Sequence, residues 1–470
     1  MFEIEITGVG GKRYCQGEYR YSLMGVRLLH AADLHLGSPL RALGDASADI
    51  AERLARASEV SVERIVTTAI EAEVDLVVVA GDLYDREARS VRANQFLVDQ
   101  FARLAERDIP AYVVHGNHDP LGWGAEKLDF PENVHVFGPD EVESAVYPNA
   151  NQPEIEILGQ SYGSRHVGAN LARNYQPQLP TVPTIGILHT GLDPGGREYV
   201  PCSPEDLANR DVQYWALGHL HHPHRLDRIP AAYPGIPQPR HAGEPPVGGC
   251  LLVELADDAP PDIEFVPTTS VLWVTGTIDV EDLDDSTERS IANLTDLEDH
   301  LVGQSRDLAV TSPSPFIETT LPIRTESWEL SGVVVRWILR GRGDVSTIIA
   351  EDDEATDVLA ERIRDRLEGD RPFVWIESIK DRTEPPLPDR ESLIEEDAVI
   401  AEFVDLVADV RADQTYRETL REQAGGAWQY VDDPDLEDLP EDRIALTDER
   451  LDQLIDEATE IALTRLAGER

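Results

Sequence analysis

The sequence predicts an α/β protein: a β-sandwich flanked by helices, followed by a smaller α+β domain and C-terminal helices. Three observations carry that expectation. Continuous apolar runs of strand length alternate with helical spacing through the first half, the pattern of sheets covered on both faces. Two Pro-rich stretches, ADDAPPDIEFVPTTS (256–270) and TEPPLPDR (383–390), break the chain into segments. Twelve of the 13 histidines lie at or before His241, so the chemistry belongs to the first half.

The elements follow in order. VRLLHAA, from Val26, reads as a buried strand. Residues 47–73 have helical spacing at Ile50, Leu54, Val60, Ile65 and Ala69. DLVVVAGD is the next strand, and Asn94–Arg107 a second helix with Phe96, Leu97, Phe101 and Leu104. The later strands are IPAYVVHGNHD, IEILG (155–159), TIGILHTG (184–191), YWALGHLH (214–221) and GGCLLVEL (248–255). Beyond the first linker, VLWVTGTID, SGVVVRWILRG and FVWIESIK surround a helix at 353–368. Two helices close the chain. One places Ile400, Phe403, Val404, Val407 and Val410 on a single face. The other follows a Thr447 cap with Leu451, Leu454, Ile455, Ala458, Ala462 and Leu466. The expected domains are therefore 26–256, 271–382 and a helical segment at 390–470. Residues 1–25 read as a disordered or mis-started leader, because the first strand begins just after Met24, the only other methionine.

Composition narrows the class. Hydrophobic residues make up 41% of 470, enough for a substantial core. No run approaches 18 uncharged apolar residues, which excludes a membrane-spanning helix. The first residues lack the apolar core of a secretory signal, and the three cysteines (Cys15, Cys202, Cys250) are too few for a disulfide framework. A cytoplasmic protein is expected. Acidic residues number 90 against 41 basic ones, a net charge of −49, and only Lys12, Lys127 and Lys380 are lysines. Carboxylates hold water and cations, whereas a lysine stem exposes apolar surface that concentrated salt penalises. The composition thus points to a halophilic archaeon. So negative a charge ordinarily argues against nucleic acid. At molar salt the Debye length is only about 3 Å, so charge decides little here.

Five short motifs fall at strand ends: Asp33-Leu-His35, Gly81-Asp82-Leu-Tyr-Asp85, Gly116-Asn117-His118-Asp119, Leu188-His189-Thr190 and Gly218-His219-Leu-His221. Open α/β sheets place ligands at strand ends. On an extended segment, D-x-H and H-x-H project to one side. Neutral imidazoles with carboxylates suit Mn²⁺, Fe or Zn²⁺. A carboxylate shared by two ions holds them about 3.5–4 Å apart, the spacing used for in-line phosphoryl displacement.

This order of motifs resembles the calcineurin-like metallophosphoesterases, across residues 26 to about 255. Within that superfamily, HAADLHLGSPL and YPGIPQPRHAGEPPVGGCLLVEL (233–255) resemble the YhaO branch of the SbcD-like DNA repair exonucleases. The resemblance implies Asp33, His35 and His221 on one metal, Asn117, His189 and His219 on a second, and Asp82 bridging them. It implies His118 as the catalytic group, stabilising the phosphorane or protonating the leaving oxygen. Asp85 and Asp119 would orient ligands or backbone, and Gly81, Gly116 and Gly218 would permit close backbone approach. The implied activity is hydrolysis of DNA phosphodiesters by a hydroxide that two divalent ions, Mn²⁺ in this family, activate. DNA, an SMC-like coiled-coil ATPase and a second copy of the chain are the implied partners.

Several residues carry two readings. His30 and His115 sit inside apolar strands, where core packing outweighs chemistry. His222 and His224 read as rim residues. Tyr233, Arg240 and His241 either contact phosphate or DNA backbone, or only order their loop. Arg336, Arg340 and Arg342 either touch DNA phosphate or pair with surface acids, the favoured reading. The C-terminal helices either hold the ATPase or pack on their own domain. For function, a small-molecule phosphoesterase with the same centre is the alternative to a nuclease. A non-catalytic scaffold is a third class, against which the complete ligand set argues.

Overall fold

In the computed structural model the described residues are 25–462, except 39–47, 86–89, 122–129, 150–151, 180, 193–199, 257–258, 281–292, 312–313, 325–327, 353, 385–397, 421–450, 453, 456–457 and 460–461. The leader, most of the second linker and the Thr447 cap lie outside them. So does Leu466 of the last expected helix.

Two six-stranded sheets form the first half. The first has the order β12 (Asp262–Pro267), β11 (Gly249–Leu255), β1 (Val26–Ala31), β2 (Leu76–Ala80), β3 (Ala111–Val114), β4 (Val134–Val136). The second runs β5 (Glu143–Asn149), β6 (Gln152–Gly159), β7 (Thr184–His189), β8 (Tyr214–Gly218), β10 (Ala231–Tyr233), β9 (His224–Arg225). The central pairings β1–β2, β2–β3, β6–β7 and β7–β8 are parallel. Every residue of β2, β3, β7 and β8 is buried, which is why these strands read as unbroken apolar runs.

Side chains alternate between the two faces of each sheet. Leu29, Val77, Val79 and Val113 point outward into a cluster with helices α1 (Ala48–Glu71) and α2 (Val91–Ala105) through Val62, Ile65, Ala69, Leu97 and Phe101. Leu188, Trp215, Leu217 and Tyr233 point the other way from the second sheet and pack with Tyr162, Tyr175 and Leu207. Leu28, Val78, Ile187 and Tyr214 are fully buried residues of the same strands and belong to neither outer cluster. Between the sheets, His30 Nδ1 lies 2.8 Å from the Tyr214 hydroxyl and Nε2 lies 3.1 Å from the Leu217 carbonyl. A carbonyl only accepts, so Nε2 carries the proton and Nδ1 accepts from Tyr214. Helix α2 starts at Val91 rather than at Asn94 because the Ser90 side chain accepts from the Ala93 N–H at 3.1 Å and caps it.

A three-stranded sheet follows, in the order β13 (Val271–Asp279), β14 (Gly332–Arg342), β15 (Phe373–Glu384). The helices after β13 include α4 (Leu294–Val310), α5 (Asp344–Glu351), α6 (Ala355–Leu367) and α7 (Ala398–Ala412), and the short α3 (Pro204–Ala208) precedes them. The contacts divide the chain into two compact units, Met1–Gly276 with Glu298–Ile338 and Asp357–Lys380, and Thr277–Leu297 with Leu339–Thr356 and Asp381–Arg470. In the first unit, Val271, Trp273, Val334, Phe373 and Trp375 pack on Leu54 and Ala57 of α1. In the second, α7 buries Ile400 while Val399 and Leu406 are exposed. Arg336 pairs with Glu377 and Arg342 with Glu384, so these two arginines take the surface-acid reading. Among the described residues, no helix is long and apolar enough to cross a membrane.

Candidate metal centre

The motifs sit at or just beyond the strand ends. β1 ends at Ala31, and Asp33 and His35 then take left-handed backbone, with φ of 53° and 42°. Asp82 (φ 52°) and His219 (φ 102°) do the same after β2 and β8. The D-x-H and H-x-H pairs therefore do not lie along extended chain, as their spacing suggests. Left-handed kinks aim them instead. Such backbone is strained for residues with a Cβ, by about 1–3 kcal/mol each, and persists only where surroundings fix it. Hydrogen bonds from Asp33 N to Gly81 O and from His35 N to Asp82 O, both 3.0 Å, do so here.

Two glycines let the layers meet. A Cβ on Gly218 would collide with the Ala80 carbonyl, and one on Gly116 with the Asp82 carboxylate and the His189 ring. Hence β8 and the Gly116 turn can deliver His219 and Asn117 to the same place as Asp82.

The expected ligands converge in two overlapping groups. In the first, His35 Nε2 and His221 Nε2 are 3.2 Å apart, and Asp33 Oδ1 lies 4.0 and 3.9 Å from them. In the second, Asn117 Oδ1 lies 3.0 Å from His189 Nε2 and 3.2 Å from His219 Nδ1. Asp82 Oδ2 stands between the groups, 3.9 Å from His35 Nε2 and 3.4 Å from His189 Nε2. Asp33 and Asp82 each accept a backbone N–H, from His219 at 2.9 Å and His118 at 2.8 Å. His189 Nδ1 bonds the Ala80 carbonyl at 2.9 Å, which turns Nε2 inward.

Protonation follows the surroundings. Burial pushes His35 well below its ordinary range and brings His219 down to about 4, so both offer neutral imidazole lone pairs. Burial alone would lower His189 too, but the Asp82 carboxylate overrides it and raises His189 to about 9. Asp82 is held low against its own burial by His189, His35 and His118. Buried imidazoles, carboxylates and an amide oxygen facing one another fit two divalent cations.

Around this set stand the orienting groups. His118 is a third exposed, with Nδ1 3.2 Å from Asp85 Oδ1 and its ring 4.9 Å from that of His35. The Asp85 hydrogen bond raises His118. Asp119 accepts from Leu83 N (3.0 Å) and Gly116 N (2.9 Å) and meets His115 Nδ1 at 3.0 Å, so it and His115 shape the turn. Tyr233 is fully buried and donates to the Thr190 carbonyl at 2.7 Å, ordering that loop. Arg240 reaches Asp85 at 3.4 Å and Glu244 at 2.9 Å. His241 is half-exposed beside Glu244, and His222 pairs with Glu318 at the rim. Sequence reasoning missed Glu244 and Ser38. Glu244 meets His221 Nδ1 at 2.9 Å, and Ser38 donates to Asp85 at 3.0 Å. The signal for Glu244 was its place as the only acid in YPGIPQPRHAGEPP.

Residues 26–223 match the calcineurin-like phosphoesterase family. Relatives agree. The uncharacterized metallophosphoesterase YhaO of Bacillus subtilis is 36% identical over 264 residues, 55% of this chain and 64% of that protein. The DNA double-strand break repair protein Mre11 of Aeropyrum pernix is 29% identical over 255 residues, 50% of this chain and 59% of that protein. The SbcD component of the nuclease SbcCD of Rhodobacter capsulatus is 27% identical over 290 residues, 50% of this chain and 68% of that protein. The chain thus spans less than two thirds of the length of the first two.

Proposed function

We propose that the protein is a two-metal phosphodiesterase acting on DNA, a nuclease of the exonuclease type working in repair. The observation that carries this reading is the pair of ligand groups with Asp82 between them. Kinship with Mre11 and the SbcCD nuclease supports DNA as the substrate.

Asp33, His35 and His221 would hold one ion, Asn117, His189 and His219 the other, with Asp82 shared. Two divalent ions, Mn²⁺ in this reading, would supply Lewis acidity toward the phosphoryl oxygens and lower the pKa of attacking water. The protein does the rest. Asp85 accepts from His118 Nδ1 and raises the pKa of that ring, and His118 would give a proton to the leaving oxygen. Neutral His35 and His219 keep lone pairs directed inward. Arg240 is held by Asp85 and Glu244, and half-exposed His241 would be the residue of this loop to meet a phosphodiester backbone.

The same reading places the protein in the cytoplasm of a halophile. Its partners would be an SMC-like ATPase, docked on the C-terminal helices, and a second copy of the chain. The test offers the full chain, with Mn²⁺ in molar KCl, linear double-stranded DNA, single-stranded DNA and a panel of small phosphodiesters. Asp82→Ala serves as control. DNA cleavage lost in the variant supports the nuclease. Turnover of a small phosphodiester with DNA left intact overturns it in favour of a small-molecule enzyme.

A further inference from the structure

We propose that Glu244 and Arg240 form a positioning pair that sets the ring of His221 and, through Asp85, the ring of His118. This rests on the two-metal reading above. Glu244 Oε1 lies 2.9 Å from His221 Nδ1. A carboxylate only accepts, so Nδ1 carries the hydrogen and Nε2 keeps its lone pair. That Nε2 is the atom facing His35 and Asp33. Glu244 therefore selects both the tautomer and the tilt of His221, as carboxylates behind metal-binding histidines do.

Arg240 joins this arrangement to the other side of the site. Its Nη2 donates to Glu244 Oε1 at 2.9 Å, its Nε at 3.2 Å, and its backbone N–H donates to Glu244 Oε2 at 2.5 Å. Its Nη1 donates to Asp85 Oδ2 at 3.4 Å. Asp85 in turn holds His118 Nδ1 at 3.2 Å. The guanidinium fork reaches both carboxylates at once, which a lysine ammonium on its flexible stem does not. Glu244 is 6% exposed and Arg240 14%, so water competes weakly. The loop is itself fixed. Gln238 donates to the Val271 carbonyl at 2.8 Å and accepts from the N–H groups of Ser270 (2.8 Å) and Val271 (3.1 Å).

The test titrates Mn²⁺ calorimetrically into metal-stripped full-length wild type, Glu244→Ala, Glu244→Gln and Arg240→Lys, with melting temperatures of the metal-free proteins alongside. Wild type should show two binding events. Glu244→Ala should weaken one of them about 10–100-fold and leave the other nearly unchanged. Glu244→Gln keeps an acceptor for Nδ1 and should weaken it less. Arg240→Lys should bind both ions nearly as wild type but lose kcat with KM kept, because His118 loses its brace. If Glu244→Ala melts early, Glu244→Gln decides. Two wild-type affinities in both Glu244 variants, or equal loss at both events, would overturn the pairing. Wild type that binds no divalent ion would instead refute the two-metal reading itself, a separate failure.

Discussion

Acid should loosen the joint between the two main sheets through one residue, His30. Its ring is fully buried between the Tyr214 hydroxyl and the Leu217 carbonyl, and burial lowers its pKa from 6.5 to about 3. The folded protein thus refuses a proton that the unfolded chain accepts below 6.5. The contribution is intact above pH 6.5 and is lost as pH falls toward 3, by about 1.4 kcal/mol per unit. At about pH 5 that is a loss of about 2 kcal/mol. The consequence reaches the site, because β1 leads into Asp33 and His35 and β8 into His219 and His221. The assay is urea unfolding, followed by tryptophan fluorescence, of wild type and His30→Gln between about pH 7.5 and 5. Glutamine can donate and accept but does not titrate. Wild type should lose about 2 kcal/mol more than the variant over this range. Equal pH slopes in the two proteins would refute the assignment.

Three further outcomes are expected. His118→Ala should bind both ions by calorimetry and lose about 10²–10⁴ in kcat, since a proton donor is removed and no ligand is. Loss of an ion as well would make His118 a ligand. Asp82→Ala should lose activity and metal occupancy together by elemental analysis, and normal activity would end its bridging role. Gly218→Ala forces a Cβ into the Ala80 carbonyl and should cost about 1–3 kcal/mol, read as a lower melting temperature.

Much of this was legible because the central strands are buried on both faces and so read as nearly unbroken apolar runs. The motif residues stand where those runs end, so Asp33, Asp82, Asn117 and His189 could be read without coordinates. What was not legible is instructive. Helix α4 presents a thin stripe, Leu297, Leu301 and Val302, and the next core position is Ser305. That serine accepts from the Trp337 indole at 3.1 Å, a polar residue filling an apolar slot. Helix α3 is one turn held by a Ser203–Asp206 capping box, too short for any period to show. The left-handed turns at Asp33, His35, Asp82 and His219 left no mark because none is glycine. Glu244 escaped because its role depends on His221, 23 residues away.

The most direct measurement is a crystal structure of the full chain soaked in Mn²⁺, with anomalous scattering to locate the ions. Two peaks about 3.5–4 Å apart are expected, one at Asp33, His35 and His221, the other at Asn117, His189 and His219, with Asp82 touching both. A single peak, or two peaks without Asp82 between them, would contradict that arrangement.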